Sequence, residues 1–211
     1  MSAGATTERV LVSLRQLLTG RTMRPGDRLD PALLAERLAS SVTPVREALH
    51  RLSGEGLVES RARGGFILPF LDAAGLQDLY AWSGQVLALA IRAWPRRRRT
   101  GAESDGAPGA TPLEAGEERS LAERCSETFL QIGRRSMNGE HARAIQRLNA
   151  RLHHARLAEC DVLAGLEEEW SHVMTVLHSG ERQTMLRACA IYHRRRYRSA
   201  GDIVRAISRG P

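Results

Sequence analysis

The side chains best placed for chemistry fall between Ser41 and Gly65, and that chemistry is hydrogen bonding to a polyanion, not bond making. Thr43, Arg46, His50 and Arg51 supply hydroxyl, guanidinium and imidazole donors on one face of a short helix. Val45, Ala48, Leu49 and Leu52 make an apolar stripe on the other face. Thr43, just after Ser41, is read as the capping hydroxyl, with Pro44 at the first helical position, where a missing amide costs little. A helix so patterned fits a nucleic-acid groove, with Arg46 aimed at a guanine edge. Farther on, Arg61 and Arg63 offer phosphate contacts, and Gly64 and Gly65 permit close backbone approach.

Several elements must hold this helix in place. Val10, Leu11, Leu14, Leu17 and Leu18 predict a first amphipathic helix that ends at Gly20. A turn at Pro25-Gly26-Asp27 leads to Asp30-Pro31, a cap and proline start for a second helix with Leu33, Leu34 and Leu38 inward. The break at Ala39-Ser40-Ser41 then gives helix-turn-helix spacing. Leu57-Val58-Glu59-Ser60 and Phe66-Ile67-Leu68 read as two strands around Arg61-Ala62-Arg63-Gly64-Gly65, a wing.

Residues 6 to 69 resemble the winged helix-turn-helix of the GntR transcription regulators. The matching pieces are Pro25-Gly26-Asp27-Arg28-Leu29, Leu34-Ala35, Thr43-Pro44-Val45-Arg46-Glu47-Ala48-Leu49, Glu55-Gly56-Leu57-Val58 and Gly64-Gly65. In that family an arginine usually follows the serine at Ser41. This chain has Val42, so the resemblance implies an operator unlike the common one.

Composition agrees. The chain has 211 residues, with 31 Lys+Arg against 24 Asp+Glu, a formal charge of +7 that favours a polyanionic partner. The basic residues are dominated by arginine, as GC-rich coding alone would also produce. Three cysteines, Cys125, Cys160 and Cys189, lack paired or metal spacing and are expected to be reduced and buried. No signal peptide or long apolar run is evident, so a cytoplasmic protein without a membrane span is expected.

Past the wing, helical periodicity takes over. Leu76, Leu79, Tyr80, Val86, Leu87 and Ala90 predict a helix ending near Trp94-Pro95. A polar, proline-rich linker with the run Arg96 to Arg99 follows at about 95–112. Helices resume near Leu113, with breaks near Asn138-Gly139, Glu159-Cys160-Asp161 and Ser179-Gly180, giving about four more. The expected fold is mainly α. A winged helix-turn-helix domain occupies 1–70, and an all-α antiparallel bundle for effector binding and dimerisation occupies 71–211.

A bundle in that position resembles the effector domain of the FadR (FCD) branch. The resembling pieces are Leu76-Gln77-Asp78-Leu79-Tyr80, Ser136-Met137-Asn138-Gly139 and Glu169-Trp170-Ser171-His172 before Gly180-Glu181. Many members of the branch hold a divalent metal through an aspartate and three histidines. Those positions fall here near Ser126 and Leu130, on Trp170 (with His172 two residues on), and at Tyr192 or His193. The usual effector arginine falls near Ser83. The pattern is degenerate, so no metal and no cofactor are expected. His153, His154, His172 and His193 invite a cluster, but neighbouring histidines on a helix are expected to diverge. The expected effector pocket is less polar, lined by Trp82, Phe129, Leu130, Trp170, His172, Met174, Tyr192 and His193, with a filled core as the alternative reading.

The resemblance implies a sequence-specific DNA-binding transcription regulator, a homodimeric repressor on a palindromic operator that responds to an organic-acid or apolar effector. The proposed contacts to double-stranded DNA are Ser41, Thr43, Pro44, Arg46, His50, Arg51, Arg61, Arg63, Gly64 and Gly65. The alternatives are a regulator without a small-molecule ligand and a winged-helix protein-interaction adaptor. Catalysis is not expected: there is no Gly-rich phosphate loop, carboxylate pair or nucleophile motif. Glu167-Glu168-Glu169 reads as a solvated helix face.

Overall fold

A computed structural model describes residues 3–19, 22–62, 64–95 and 119–209. Gly20, Arg63, the run from Arg96 to Arg99, nearly all of the 95–112 linker and the helical restart near Leu113 lie outside the described residues. The chain divides into two compact units: the first takes the residues up to Asp72 together with those from Ile207 onward, and the second runs from Ala73 to Ala206.

The first unit holds α1 (Ala3–Leu18), β1 (Arg28–Leu29), α2 (Pro31–Arg37), α3 (Val42–Gly54), β2 (Glu59–Ser60) and β3 (Phe66–Ile67). Val10, Leu11, Leu14 and Leu18 of α1 are buried, as are Val45, Ala48, Leu49 and Leu52 of α3. That is the stripe the periodicity predicted, and packing the two helices together removes it from water. Asp30 caps α2 as expected, its Oδ1 accepting from the Ala32 amide at 2.8 Å, with Pro31 in the first turn. Leu33, however, is exposed, and Leu34 and Ala35 supply the buried face. Ala39 adopts φ 46°, the left-handed conformation that turns the chain between α2 and α3.

The wing is shorter than the sequence suggested and gains a strand. Leu57 and Val58 precede β2, and β3 is central in the order β1-β3-β2, with both pairings antiparallel. β1 went unforeseen because two residues, Arg28 and Leu29, carry no alternation to read. Across the tip the Arg61 amide donates to Gly65 O at 3.1 Å and the Gly64 amide to Arg61 O at 2.9 Å. Gly64 and Gly65 take φ 84° and 93°, which side chains with a Cβ rarely adopt.

The second unit contains α4 (Ala73–Arg92), α5 (Leu121–Arg135), α6 (Gly139–Arg151), α7 (His153–Ala158), a 3-10 turn (Glu159–Asp161), α8 (Leu166–Ser179), α9 (Arg182–Arg198) and, as far as Ala206, α10 (Ala200–Arg209). After the linker there are thus six α-helices among the described residues, where periodicity suggested about four. The extra breaks, at Leu152 and Ser199, carry neither glycine nor proline to announce them.

α5 opens with a capping box: the Glu123 amide donates to Ser120 Oγ at 3.3 Å and the Ser120 amide to Glu123 Oε2 at 2.8 Å. The Trp94 indole N–H, just past α4, donates to Ile132 O at 3.0 Å and fixes α5 beside that end. α5 and α6 approach closely at Gly133, where an added Cβ would lie 2.8 Å from Ile145 Cδ1 and 3.0 Å from Ala142 Cα. Cys125 and Cys189 are buried but Cys160 is exposed, against expectation, because the 3-10 turn presents it outward.

Candidate functional site

In the first unit the outward side chains of α3 separate into two groups. Thr43, Arg46 and His50 are exposed, spaced three and then four residues apart on one stripe. The His50 ring meets Phe66 of β3 edge-on, with centroids 4.9 Å apart at 75°, so the helix stripe and the wing form a continuous surface. Arg51, assigned by spacing to the same stripe, turns toward α1, where its Nη1 lies 3.2 Å from Glu8 Oε2. Arg15 of α1 pairs in the same way with Glu55, at 2.7 Å. Arg61 is exposed beside Glu59 at 3.7 Å.

The helix start also differs from the expected one. Ser41 occupies the cap position without a side-chain capping bond, and Val42 is the first helical residue. Thr43 therefore caps nothing, and its hydroxyl stays on the outer face. Pro44 sits in the first turn, where its missing amide would have had no partner inside the helix.

In the second unit four of the eight expected pocket residues meet. Phe129 packs edge-on against Trp170 and Tyr192, centroids 5.9 and 5.4 Å apart, and stacks on His193 at 5.9 Å. The other four do not join them. Trp82 is 48% exposed on α4 and His172 is exposed on α8, while Leu130 and Met174 are half-buried at the edge. Helical geometry is the reason. Trp82 neighbours the inward Ser83, and His172 lies two residues from Trp170, so each points away from its partner.

Charged groups that the sequence reading passed over are buried beside the rings. Arg196 donates to Glu159 and Glu169, and Tyr80 donates to Glu159. Glu169 is therefore not part of a solvated face. Burial, and then the Glu159 carboxylate, hold the Tyr80 phenol well above its usual range. Arg156 is buried against Ser126 and Asn149. A signal for Arg196 was present: Cys189, Tyr192 and Arg196 share one face of α9, and two of these three types are commonly internal.

His193 Nδ1 lies 2.7 Å from Cys189 O and its Nε2 3.1 Å from Ser83 Oγ. A carbonyl only accepts, so Nδ1 carries the hydrogen and Nε2 accepts from the serine. Burial pushes the pKa of His193 down to about 3, and it stays neutral. Burial likewise pushes Cys125 up to about 11 and Cys189 up to about 12, so both remain thiols.

The positions that the resemblance assigns to a metal do not fit one. Arg156 Nη1 donates to Ser126 Oγ at 2.8 Å, which places a cation where a second cation would have to bind. Among the described residues no group of three His, Cys, Asp or Glu could hold a metal ion. His153 and His154 do not diverge as expected, since their rings touch edge-on at 5.8 Å.

A three-helix unit with a small antiparallel wing, followed by an all-helical unit, is the architecture of a winged-helix protein with a helical partner domain. Residues 6–68 match the family described as bacterial regulatory proteins, gntR family. The Nta operon transcriptional regulator of Aminobacter aminovorans is 47% identical over 57 residues, 27% of this chain and 27% of that protein. An uncharacterized HTH-type transcriptional regulator, YdhC, of Bacillus subtilis (strain 168) is 31% identical over 67 residues, 32% of this chain and 30% of that protein. The matched segments thus span less than a third of either relative. E. coli McbR/YncC shares the fold with a TM-score of 0.65 at 21% identity, over 96% of this chain and 99% of that one. A putative transcriptional regulator GntR from Rhodococcus sp. RHA1 does so at 0.69 and 16%, over 93% and 97%. No helix among the described residues is long and apolar enough to cross a membrane.

Proposed function

We propose that the protein is a DNA-binding transcription regulator of the gntR family, of the FadR branch, that acts as a homodimeric repressor. The observation that carries this reading is the exposed stripe of Thr43, Arg46 and His50 on a helix whose opposite face is wholly buried. With the wing alongside, this surface suits a major groove: Arg46 reads a guanine edge, while Arg61, Arg63 and the amides at Gly64 and Gly65 hold phosphates. Arg51 belongs to the support of the helix through Glu8. Two copies present two such helices to a palindrome. Trp82 and Leu89, exposed seven residues apart on one face of α4, supply apolar area for the pairing. An effector bound within the helical unit biases the dimer between two spacings of its winged helices.

The test is binding of the purified chain to DNA upstream of its own gene and of the neighbouring genes, with Arg46→Ala alongside. Sequence-selective binding that Arg46→Ala loses supports the assignment. Equal, unselective binding by both proteins removes the groove-reading role, and failure to bind DNA at low salt favours a protein-interaction adaptor.

A further inference from the structure

His50 is the third residue of the exposed α3 stripe, and its ring meets Phe66 edge-on, centroids 4.9 Å apart at 75°. Phe66 is buried and opens β3, where it pairs with Leu29 of β1 and with Ser60 of β2. Gly65, the last residue of the wing tip, directly precedes it. The tip closes on itself, since the Arg61 amide donates to Gly65 O and the Gly64 amide to Arg61 O. Its height over α3 is therefore set where β2 and β3 meet that helix.

α1 is tied to α3 by directional bonds. Thr7 Oγ1 donates to Glu47, Arg51 pairs with Glu8, and Arg15 pairs with Glu55. Among the described residues no hydrogen bond or ion pair joins α3 to β2, β3 or the tip. Apolar burial presses these elements together without a preferred direction, whereas an edge-on ring pair has one. The contact of His50 with Phe66 supplies that orientation.

Position along the helix separates His50 from the groove readers. A recognition helix meets base edges with its N-terminal residues. Thr43 and Arg46 lie near the start of α3, and His50 lies about 10 Å farther along the axis than Thr43.

We infer that His50 is a positioning residue and not a DNA contact: its ring, through Phe66, sets the wing tip at the height from which Arg61 reaches a phosphate. The inference rests on the reading of this unit as a DNA reader, and it names the side chain that couples the helix to the wing.

The test compares two variants of the whole chain, each alone and combined with Arg61→Ala. His50→Phe keeps a ring without a ring nitrogen, and His50→Gln keeps a polar nitrogen without a ring. The probe is a duplex selected from a random-sequence library by the wild type, with anisotropy followed across a salt series. His50→Phe is expected to match the wild type in affinity and salt slope, and to suffer the same loss on Arg61→Ala. His50→Gln binds severalfold more weakly with a slope lower by about one, and Arg61→Ala then costs nothing further. On samples without DNA, amide exchange at Arg61 and Gly64 rises severalfold in His50→Gln and stays at the wild-type level in His50→Phe. Exchange in α1 is unchanged in both.

Three results overturn the inference: His50→Gln binding as tightly as the wild type, His50→Phe binding as weakly as His50→Gln, or tip amides that exchange alike in all the proteins. If His50→Gln does not fold, His50→Phe decides, because weak DNA binding with a protected tip makes the imidazole itself the contact. The exchange measurement needs no DNA. A responsive tip in a chain that binds no duplex overturns only the regulator reading, whereas an unresponsive tip in a chain that binds DNA overturns only this inference.

Discussion

Arg196 Nε donates to Glu159 Oε2 at 2.8 Å, and both side chains are almost wholly shielded from water. The pair joins α9 to the 3-10 turn, and both side chains make further hydrogen bonds. Tyr80 of α4 reaches Glu159 Oε1 at 2.7 Å, while Arg196 Nη1 reaches Glu169 Oε2 of α8 at 3.0 Å and Tyr192 O at 3.1 Å. The guanidinium also lies over the Tyr192 ring, 3.4 Å from its centroid. A buried ion pair is tolerable when its hydrogen-bonding groups are matched in this way.

Removing one partner of that pair strands the other. Glu159→Ala is expected to destabilise the helical unit by about 3–5 kcal/mol. Glu169→Ala, at a more accessible site, costs less. The double substitution Glu159→Leu with Arg196→Met recovers much of the loss. Urea unfolding followed by Trp170 fluorescence checks the order, and a double variant weaker than both single ones contradicts it.

On DNA, Arg46 and Arg61 should differ in kind. Arg46→Ala is expected to cost about 1–3 kcal/mol on the operator and much less on random DNA. Arg61→Ala weakens both to the same degree and lowers the salt slope by about one. Fluorescence anisotropy across a salt series separates the two outcomes.

His193 sets an acid limit on stability. Its native pKa of about 3 lies below the ordinary 6.5, so under pH 6.5 the unfolded chain binds a proton that the native chain refuses. The contribution is complete above pH 6.5 and declines as the pH falls toward 3, at roughly 1.4 kcal/mol per unit. His193→Gln is expected to flatten that stretch of the stability curve. Parallel wild-type and variant curves from pH 6.5 to 4 speak against it.

Gly133 is a packing constraint. A methyl group there meets Ile145 Cδ1 at 2.8 Å and the Ala142 backbone at 3.0 Å, and the backbone cannot swing aside. Gly133→Ala is expected to cost about 1–3 kcal/mol through separation of α5 and α6, despite the higher helix propensity of alanine. A stabilised variant in thermal unfolding excludes the clash.

The amino-acid sequence by itself determined the winged helix. The stripe of Val45, Ala48, Leu49 and Leu52, the Asp30-Pro31 start and the Gly64-Gly65 tip act through neighbours along the chain, and local periodicity records such effects. The two-residue β1 was not legible, because it exists only by pairing with β3. Nor was the division of the α3 face: Arg46 and Arg51 look alike in one dimension, and only the position of Glu8 on α1 draws Arg51 aside.

In the helical unit the sequence located Phe129, Trp170, Tyr192 and His193 as internal but also admitted Trp82 and His172, which one or two residues of helical rotation place outside. Tertiary structure alone decided which arginines are buried. Arg156, Arg195 and Arg196 have the same chemistry, and their fates depend on where Glu159, Glu169, Ser126 and Asn149 are brought by other helices. Burial of a charge depends on partners distant in sequence, and local spacing does not encode them.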